Sequence, residues 1–161
     1  MARTVAMFYN VDLSVGKGGA NSPTDVMLVQ YMLWHICIQP RPNWEGQSLS
    51  VFPDNPPNTG PEALFPHNGV YTKKLDDWIA MFQRDCSEMG HPYGPLTVDG
   101  RINRAPIDWG RPSSGRRTWY TIQAMNLAMI TMNNQSFLRL PNLSDVPAPL
   151  SSSLTRLIVH F

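Results

Sequence analysis

Val70–Ala105 reads VYTKKLDDWIAMFQRDCSEMGHPYGPLTVDGRINRA, and its periodicity decides what kind of fold the chain can adopt. Leu75, Trp78, Ile79, Phe82 and Cys86 fall at i, i+3, i+4, i+7 and i+11, which is one stripe of an amphipathic helix. Lys73, Lys74, Asp76, Asp77, Arg84 and Asp85 occupy the other, solvated face. Thr72 stands where an N-cap belongs and Gly90 where a helix closes, so the spacing predicts a helix from Thr72 to about Glu88. Behind it, Asp99-Gly100 is a turn, because Gly accepts a positive φ and an Asp carboxylate bonds the amides beyond it. Asp76 and Asp77 are sequence neighbours on a helix, so they do not aim at one atom as an acid/base pair would.

Working outward, Ser22-Pro23-Thr24-Asp25 predicts a helix start, with Ser22 as cap, Pro23 in the first turn and Asp25 closing a capping box. The helix runs from Pro23 to Ile38. Val26, Val29, Leu33 and Ile36 form one stripe, while Leu28, Met32 and Trp34 carry apolar surface round its other sides. Such a helix is buried on several faces or meets a partner. Gln30 and His35 are its few polar groups, and His35 is expected to be a core-edge imidazole rather than a metal ligand. A third helix is expected from Thr118 to about Asn133. Its stripe is Ile122, Met125, Met129 and Met132, widened by Leu127 and Ile130, and suits core packing or an adaptable interface.

Thr4–Leu13 and Leu154–Phe161 read as strand-like arms, the second apolar enough to want covering. Gly16, Gly18 and Gly19 make a turn, since GKGG lacks the full spacing of a phosphate loop. Residues 39–68 are rich in proline and expected to be a long ordered loop, with one short strand at Leu49–Phe52 and a tight turn at Asn68-Gly69. The organisation that emerges is a single domain over 1–161. It has an arm over 1–20, a three-helix core over 22–133 interrupted by loops 39–68 and 107–117, and a Pro/Ser connector with a terminal strand over 141–161.

Composition narrows the function classes. The chain has 161 residues, 42% of them hydrophobic and only 16% charged, with a formal net charge of +1. A charge near zero gives no reason to expect nucleic acid, and Arg111, Arg116 and Arg117 read as a solvated loop. Sparse charge suits a surface covered by partners. No stretch has the apolar length of a membrane span, and the N-terminus has no Sec-type apolar core, which predicts cytoplasmic synthesis. Cys37 and Cys86 fall among apolar neighbours and are expected as buried free thiols.

The order DVMLVQYML, then YTKKLDDWIAMFQRD, then VDGRI, then another helix is similar to the peptidoglycan-binding-domain-like three-helix family. Asp25-Val26 with Val29-Gln30 match its first element. Thr72, Trp78 and Phe82-Gln83 match its second, and Asp99-Gly100-Arg101-Ile102 match its turn. The resemblance covers residues 25–133, and its specificity lies in the order of short pieces. Asn103 stands where the family usually has glycine, and asparagine tolerates the left-handed region. The resemblance implies a mainly α, compact three-helix fold and non-catalytic binding of peptidoglycan, through its glycan or its stem peptide. Tyr71, Arg101, Arg104, Trp109 and Arg111 are the expected contacts, with Trp109 stacking on a sugar face and an arginine pairing with a stem-peptide carboxylate.

A second expectation is a structural or adaptor subunit of a phage-tail-like or contractile-injection-type assembly. It would reuse the fold and meet protein partners through the terminal strands and the Met-rich helix. Without a Sec signal, a wall-binding role implies contact with peptidoglycan through phage lysis, an injection particle or another non-Sec route, whereas the structural role reuses the fold without binding cell wall. An enzyme is not expected. His35, His67, His91 and His160 are scattered without metal-ligand spacing, Glu45, Glu62 and Glu88 have no evident partners, and no cofactor motif is present.

Overall fold

The computed structural model describes residues 5–38, 57, 60–90, 93–105, 120–138 and 156–160, with side chains for 9–38, 57, 60–90, 93–105 and 120–129. Its described part is mainly helical. β1 spans Val5–Tyr9 and β2 Val15–Gly16, after which α1 runs over Pro23–Leu33 and continues as a π-helical turn over Trp34–Ile38. A short 3-10 turn, Pro61–Ala63, precedes α2 at Lys73–Met89. β3 is Arg101–Ile102, α3 is Thr121–Leu138, and β4 is Arg156–His160. The expected strand Leu49–Phe52 and the loop 107–117 lie outside the described residues.

The apolar stripes do what their spacing implies. Leu75, Ile79, Phe82 and Cys86 of α2 are fully buried, and they join Val26, Val29, Leu33 and Ile36 of α1 and Ile122, Met125 and Met129 of α3 in one core. Each large side chain buried this way contributes about 1.5–3 kcal/mol. α1 is buried round most of its circumference, as an all-round apolar helix must be: Leu28, Tyr31 and Met32 are also in the core. α1 and its π turn pack against α3, while α2 packs on β2 and β3. Met125 and Met129 therefore fill the core; the side chain of Met132 lies outside the described set.

Helix starts differ from the sequence expectation. Ser22 and Thr72 occupy N-cap positions, yet neither side chain makes a capping hydrogen bond. Asp25 does not close a capping box. Its carboxylate instead accepts the amides of Asp12 and Leu13, both at 2.9 Å, pinning the segment that follows β1 to the first turn of α1. The anion still sits at the positive end of the helix. α3 starts at Thr121 rather than after Thr118, and Gln123 Oε1 reaches back to accept the Tyr120 amide at 3.1 Å. The helix ends at Leu138, beyond Asn133. Asp85 was placed on the solvated face by its spacing and is instead buried. Asn103 is not left-handed; among the described residues the non-glycine residue with positive φ is Asn21, whose side-chain oxygen accepts the Gly16 amide at 2.7 Å.

Two small antiparallel ladders accompany the helices among the described residues. β1 pairs with β4 in the register Val5↔His160 to Tyr9↔Arg156, so the two arms pair with each other. Asn126 of α3 ties this ribbon to the helices: its Oδ1 accepts the Tyr9 amide and its Nδ2 donates to the Tyr9 carbonyl, both at 2.8 Å. β2 pairs with β3, Val15 opposite Ile102 and Gly16 opposite Arg101. Gly16 has φ +106°, and a Cβ there would collide with the Gly100 carbonyl oxygen. Gly16→Ala is expected to cost about 2 kcal/mol, read as a lowered urea midpoint. An unchanged midpoint would mean that the β2–β3 crossing is absent in solution.

Candidate functional site

Gln83, in the C-terminal half of α2, is the hub behind the Asp-Gly turn. Only 1% of it is exposed. Its Oε1 accepts the amides of Asp99 at 3.0 Å and Gly100 at 2.9 Å. Its Nε2 donates to Asp99 Oδ1 and the Arg101 carbonyl, both at 3.0 Å, and to Thr121 Oγ1 at 2.9 Å. Asp99 Oδ1 also accepts the Arg101 amide at 3.0 Å. One neutral side chain thereby joins α2, the turn and the first residue of α3. A glutamine suits this place because it offers an acceptor and two donors without bringing a charge into a buried site.

Gln30 on α1 repeats this arrangement on the other turn. Its Oε1 accepts the Gly69 amide at 2.9 Å, and its Nε2 reaches Asn68 Oδ1 and the Val70 carbonyl at 3.4 Å and the Ala63 carbonyl at 3.1 Å. Asn68 Oδ1 accepts the Val70 amide at 3.0 Å, just as Asp99 does for Arg101. Gly69 and Gly100 have φ +74° and +71°. A buried glutamine therefore grips an Asx-Gly turn ahead of α2 and again ahead of α3. The sequence shows Gln30, Asn68-Gly69, Gln83 and Asp99-Gly100 separately. Their equivalence is hidden because Gln30 and Gly69 are 39 positions apart in the chain and Gln83 and Gly100 are 17.

Two of the expected contact residues follow these turns, Tyr71 after Asn68-Gly69 and Arg101 after Asp99-Gly100. Tyr71 donates its hydroxyl to the Asp76 carboxylate, at 2.8 and 2.9 Å to its two oxygens. Asp76 is thus a half-buried partner of Tyr71, not part of a purely solvated face, whereas Asp77 is exposed. Burial raises the Asp76 carboxyl above the usual carboxylate range, against the opposing pull of the Tyr71 hydrogen bond and the Lys17 and Lys73 charges. Burial and the same carboxylate push the Tyr71 phenol up to about 12. Arg101 clamps the neighbouring loop: Nε donates to Asn103 Oδ1 at 2.9 Å, and the terminal nitrogens to the Gly18 carbonyl and Ser14 Oγ at 3.3 Å. The Lys17 amide donates to the Gly100 carbonyl at 3.0 Å. Arg104 is exposed. Trp109 and Arg111 lie outside the described residues.

Tyr71→Phe tests this corner. It should cost about 1 kcal/mol, the worth of a half-exposed hydrogen bond to a carboxylate. It should also move the Asp76 titration further upward, followed by carboxyl carbon NMR, since a lowering influence is removed. A raised carboxyl pKa means the folded state holds the proton more tightly than the unfolded one. Asp76 therefore favours folding at low pH, and that contribution is lost as pH rises through its titration. An unmoved Asp76 titration would show that the pair does not form.

Cys37 and Cys86 are free and buried; burial, with the Asp85 carboxylate nearby, pushes both thiols up, away from the reactive thiolate. Among the described residues no group of three His, Cys, Asp or Glu side chains is placed to hold a metal ion. No described helix is long and apolar enough to cross a membrane.

Sequence reasoning missed a cluster of rings on the far side of Gln30. Phe65 stacks on Trp34 with centroids 4.9 Å apart and planes 27° apart. His67 packs edge-on against Phe65 at 5.3 Å and against Tyr31 at 5.3 Å, and His35 lies 4.5 Å from Tyr31. His35 is buried, as expected of a core-edge imidazole. The available signal was Trp34 itself, an aromatic residue off the main stripe of α1. Compared with protein-family models, with curated protein sequences and with solved structures, the chain gives no match.

Proposed function

We propose that this chain is a non-catalytic binding module similar to peptidoglycan-binding domains, acting within a larger assembly, with wall glycan or stem peptide as its ligand. The observation that carries this reading is the Gln83 grip on Asp99-Gly100 and Thr121. It joins in one physical unit the pieces whose order suggested the family: the Phe82-Gln83 helix, the Asp-Gly turn and the third helix. The matching grip of Gln30 on Asn68-Gly69 gives the first helix the same task. Co-sedimentation with purified sacculi tests the proposal. Protein that pellets with the wall in a saturable manner supports it, and protein that stays in the supernatant at all wall concentrations sinks it.

A second reading, a structural or adaptor subunit of a phage-tail-like or injection-type assembly, draws on the β1–β4 ribbon. Each of its strands uses one edge in the ladder between them, and an exposed outer edge is a template for a neighbour's strand. Light scattering before and after removal of residues 156–161 discriminates: a monomer in both states counts against assembly through this ribbon.

A further inference from the structure

We propose that Phe65, stacked on Trp34, is a sugar-binding platform for a pyranose ring of a neutral glycan strand. This rests on the wall-binding reading and places the ligand away from Tyr71 and Arg101. Phe65 is 52% exposed, although Leu64 beside it is fully buried. The fold therefore holds a large apolar ring in water where it had a neighbouring core to fill.

The ring is held rigidly. The Leu64 and Phe65 amides both donate to the Pro61 carbonyl, at 2.9 and 3.1 Å, and His67 Nδ1 lies 2.9 Å from the Leu64 carbonyl. Gln30 fixes the segment on either side of Phe65, at Ala63 and at Gly69. Trp34 backs the ring from α1's π turn. A preorganised aromatic face loses little rotamer entropy when a ligand docks, and the C–H face of a pyranose matches it.

Charge selects the class of ligand. Pro23–Ile38 and Gly60–Tyr71, which build the cluster, contain no lysine or arginine. Their carboxylates are Asp25, held by the Asp12 and Leu13 amides, and Glu62, paired with Lys74 at 2.9 Å. A stem-peptide carboxylate or a phosphate has no lysine or arginine on these two segments to meet, whereas an uncharged sugar needs none. Asn68, exposed three residues beyond Phe65, has a side-chain amide suited to hydroxyl or acetamido groups.

The experiment compares wild type, Phe65→Ala and Phe65→Trp in sacculus co-sedimentation, with thermal midpoints as folding controls. It also follows the Trp34 indole N–H by NMR during titration of wild type with an N-acetylglucosamine hexamer. The expected result is a loss of about tenfold or more in sacculus affinity for Phe65→Ala, retained affinity for Phe65→Trp, and a saturable shift of the Trp34 signal. If wild type and a folded Phe65→Ala pellet alike, the platform is wrong while the wall-binding reading stands. If Phe65→Ala does not fold, an unmoved Trp34 signal overturns the platform by itself. If wild type does not pellet, both fall.

Discussion

Gln83→Leu will lower the unfolding free energy by roughly 4 kcal/mol, the largest effect expected of any single polar substitution in the described residues. Leucine fills the same volume but leaves the Asp99 and Gly100 amides, the Arg101 carbonyl and the Thr121 hydroxyl without the partner that now serves all of them. Each stranded buried group costs about 1–3 kcal/mol, and partial rehydration of the turn recovers some of the sum. For a chain of this size the thermal midpoint should fall by about 8–16 °C. Gln83→Glu separates geometry from charge. It keeps an acceptor for the two amides but turns a second oxygen towards Asp99 Oδ1 and the Arg101 carbonyl. Burial and Asp99 would raise the new carboxyl above its ordinary value of about 4.3, so this variant should regain stability on acidification and lose it as pH rises towards neutral. Urea midpoints at several pH values check both variants. A Gln83→Leu loss below about 1 kcal/mol would mean that the turn is held by its own Asx geometry and that the hub is dispensable.

Asn126→Leu should come next, at roughly 3 kcal/mol, and its signature should be local as well as global. The Asn126 side chain is fully buried and makes both hydrogen bonds to Tyr9, plus one from Nδ2 to the Ile122 carbonyl at 2.7 Å. It acts as a single-residue continuation of the sheet, pairing with the end of β1 as a neighbouring strand would. A two-stranded ribbon is marginal in water unless something supports it. Hydrogen exchange of the β1 and β4 amides should therefore accelerate more than that of α2 in the variant. Equal acceleration throughout would show that the ribbon opens only with the whole domain.

How much of this the sequence disclosed depends on the range over which each interaction acts. The α2 stripe from Leu75 to Cys86 is local and periodic, and all five of its apolar positions are buried. The Asp99-Gly100 turn was legible for the same reason: its left-handed glycine and its carboxylate-to-amide bond both lie within three residues. The capping box expected at Asp25 does not form because its carboxylate has another use. The amides of Asp12 and Leu13, far away by chain path, outcompeted the local partner of Asp25. Asp85 was misread because its helical angle predicts solvent only where nothing packs on that side.

The least legible feature is the use of primary amides as ties between distant segments. Asn126 reaches Tyr9 across 117 residues, and Asn10 exchanges two hydrogen bonds with the backbone of Ala105, at 2.8 and 3.2 Å, across 95. Composition hinted at this, since a chain with 16% charged residues must join its loops by other means. Neutral amides do so without the desolvation cost of buried ions. No spacing rule says which amide meets which backbone. The same limit applies to the candidate sites. Tyr71 and Arg101 were legible as residues near the turn, whereas the Trp34–Phe65 stack exists only because Gln30 draws Ala63 and Gly69 against α1.

The β1–β4 ladder also sets how the domain bears load. Val5 and His160 face each other at one end of an antiparallel pair. Any chain leading into β1 and any chain leading out of β4 would therefore attach at one spot, as at the base of a side branch and not at the two ends of a spacer. Tension between those flanks would open the ladder one residue pair at a time, from Val5–His160 towards Tyr9–Arg156, instead of shearing all its hydrogen bonds together. The buried amide of Asn126 at the Tyr9 end is where such peeling would stop.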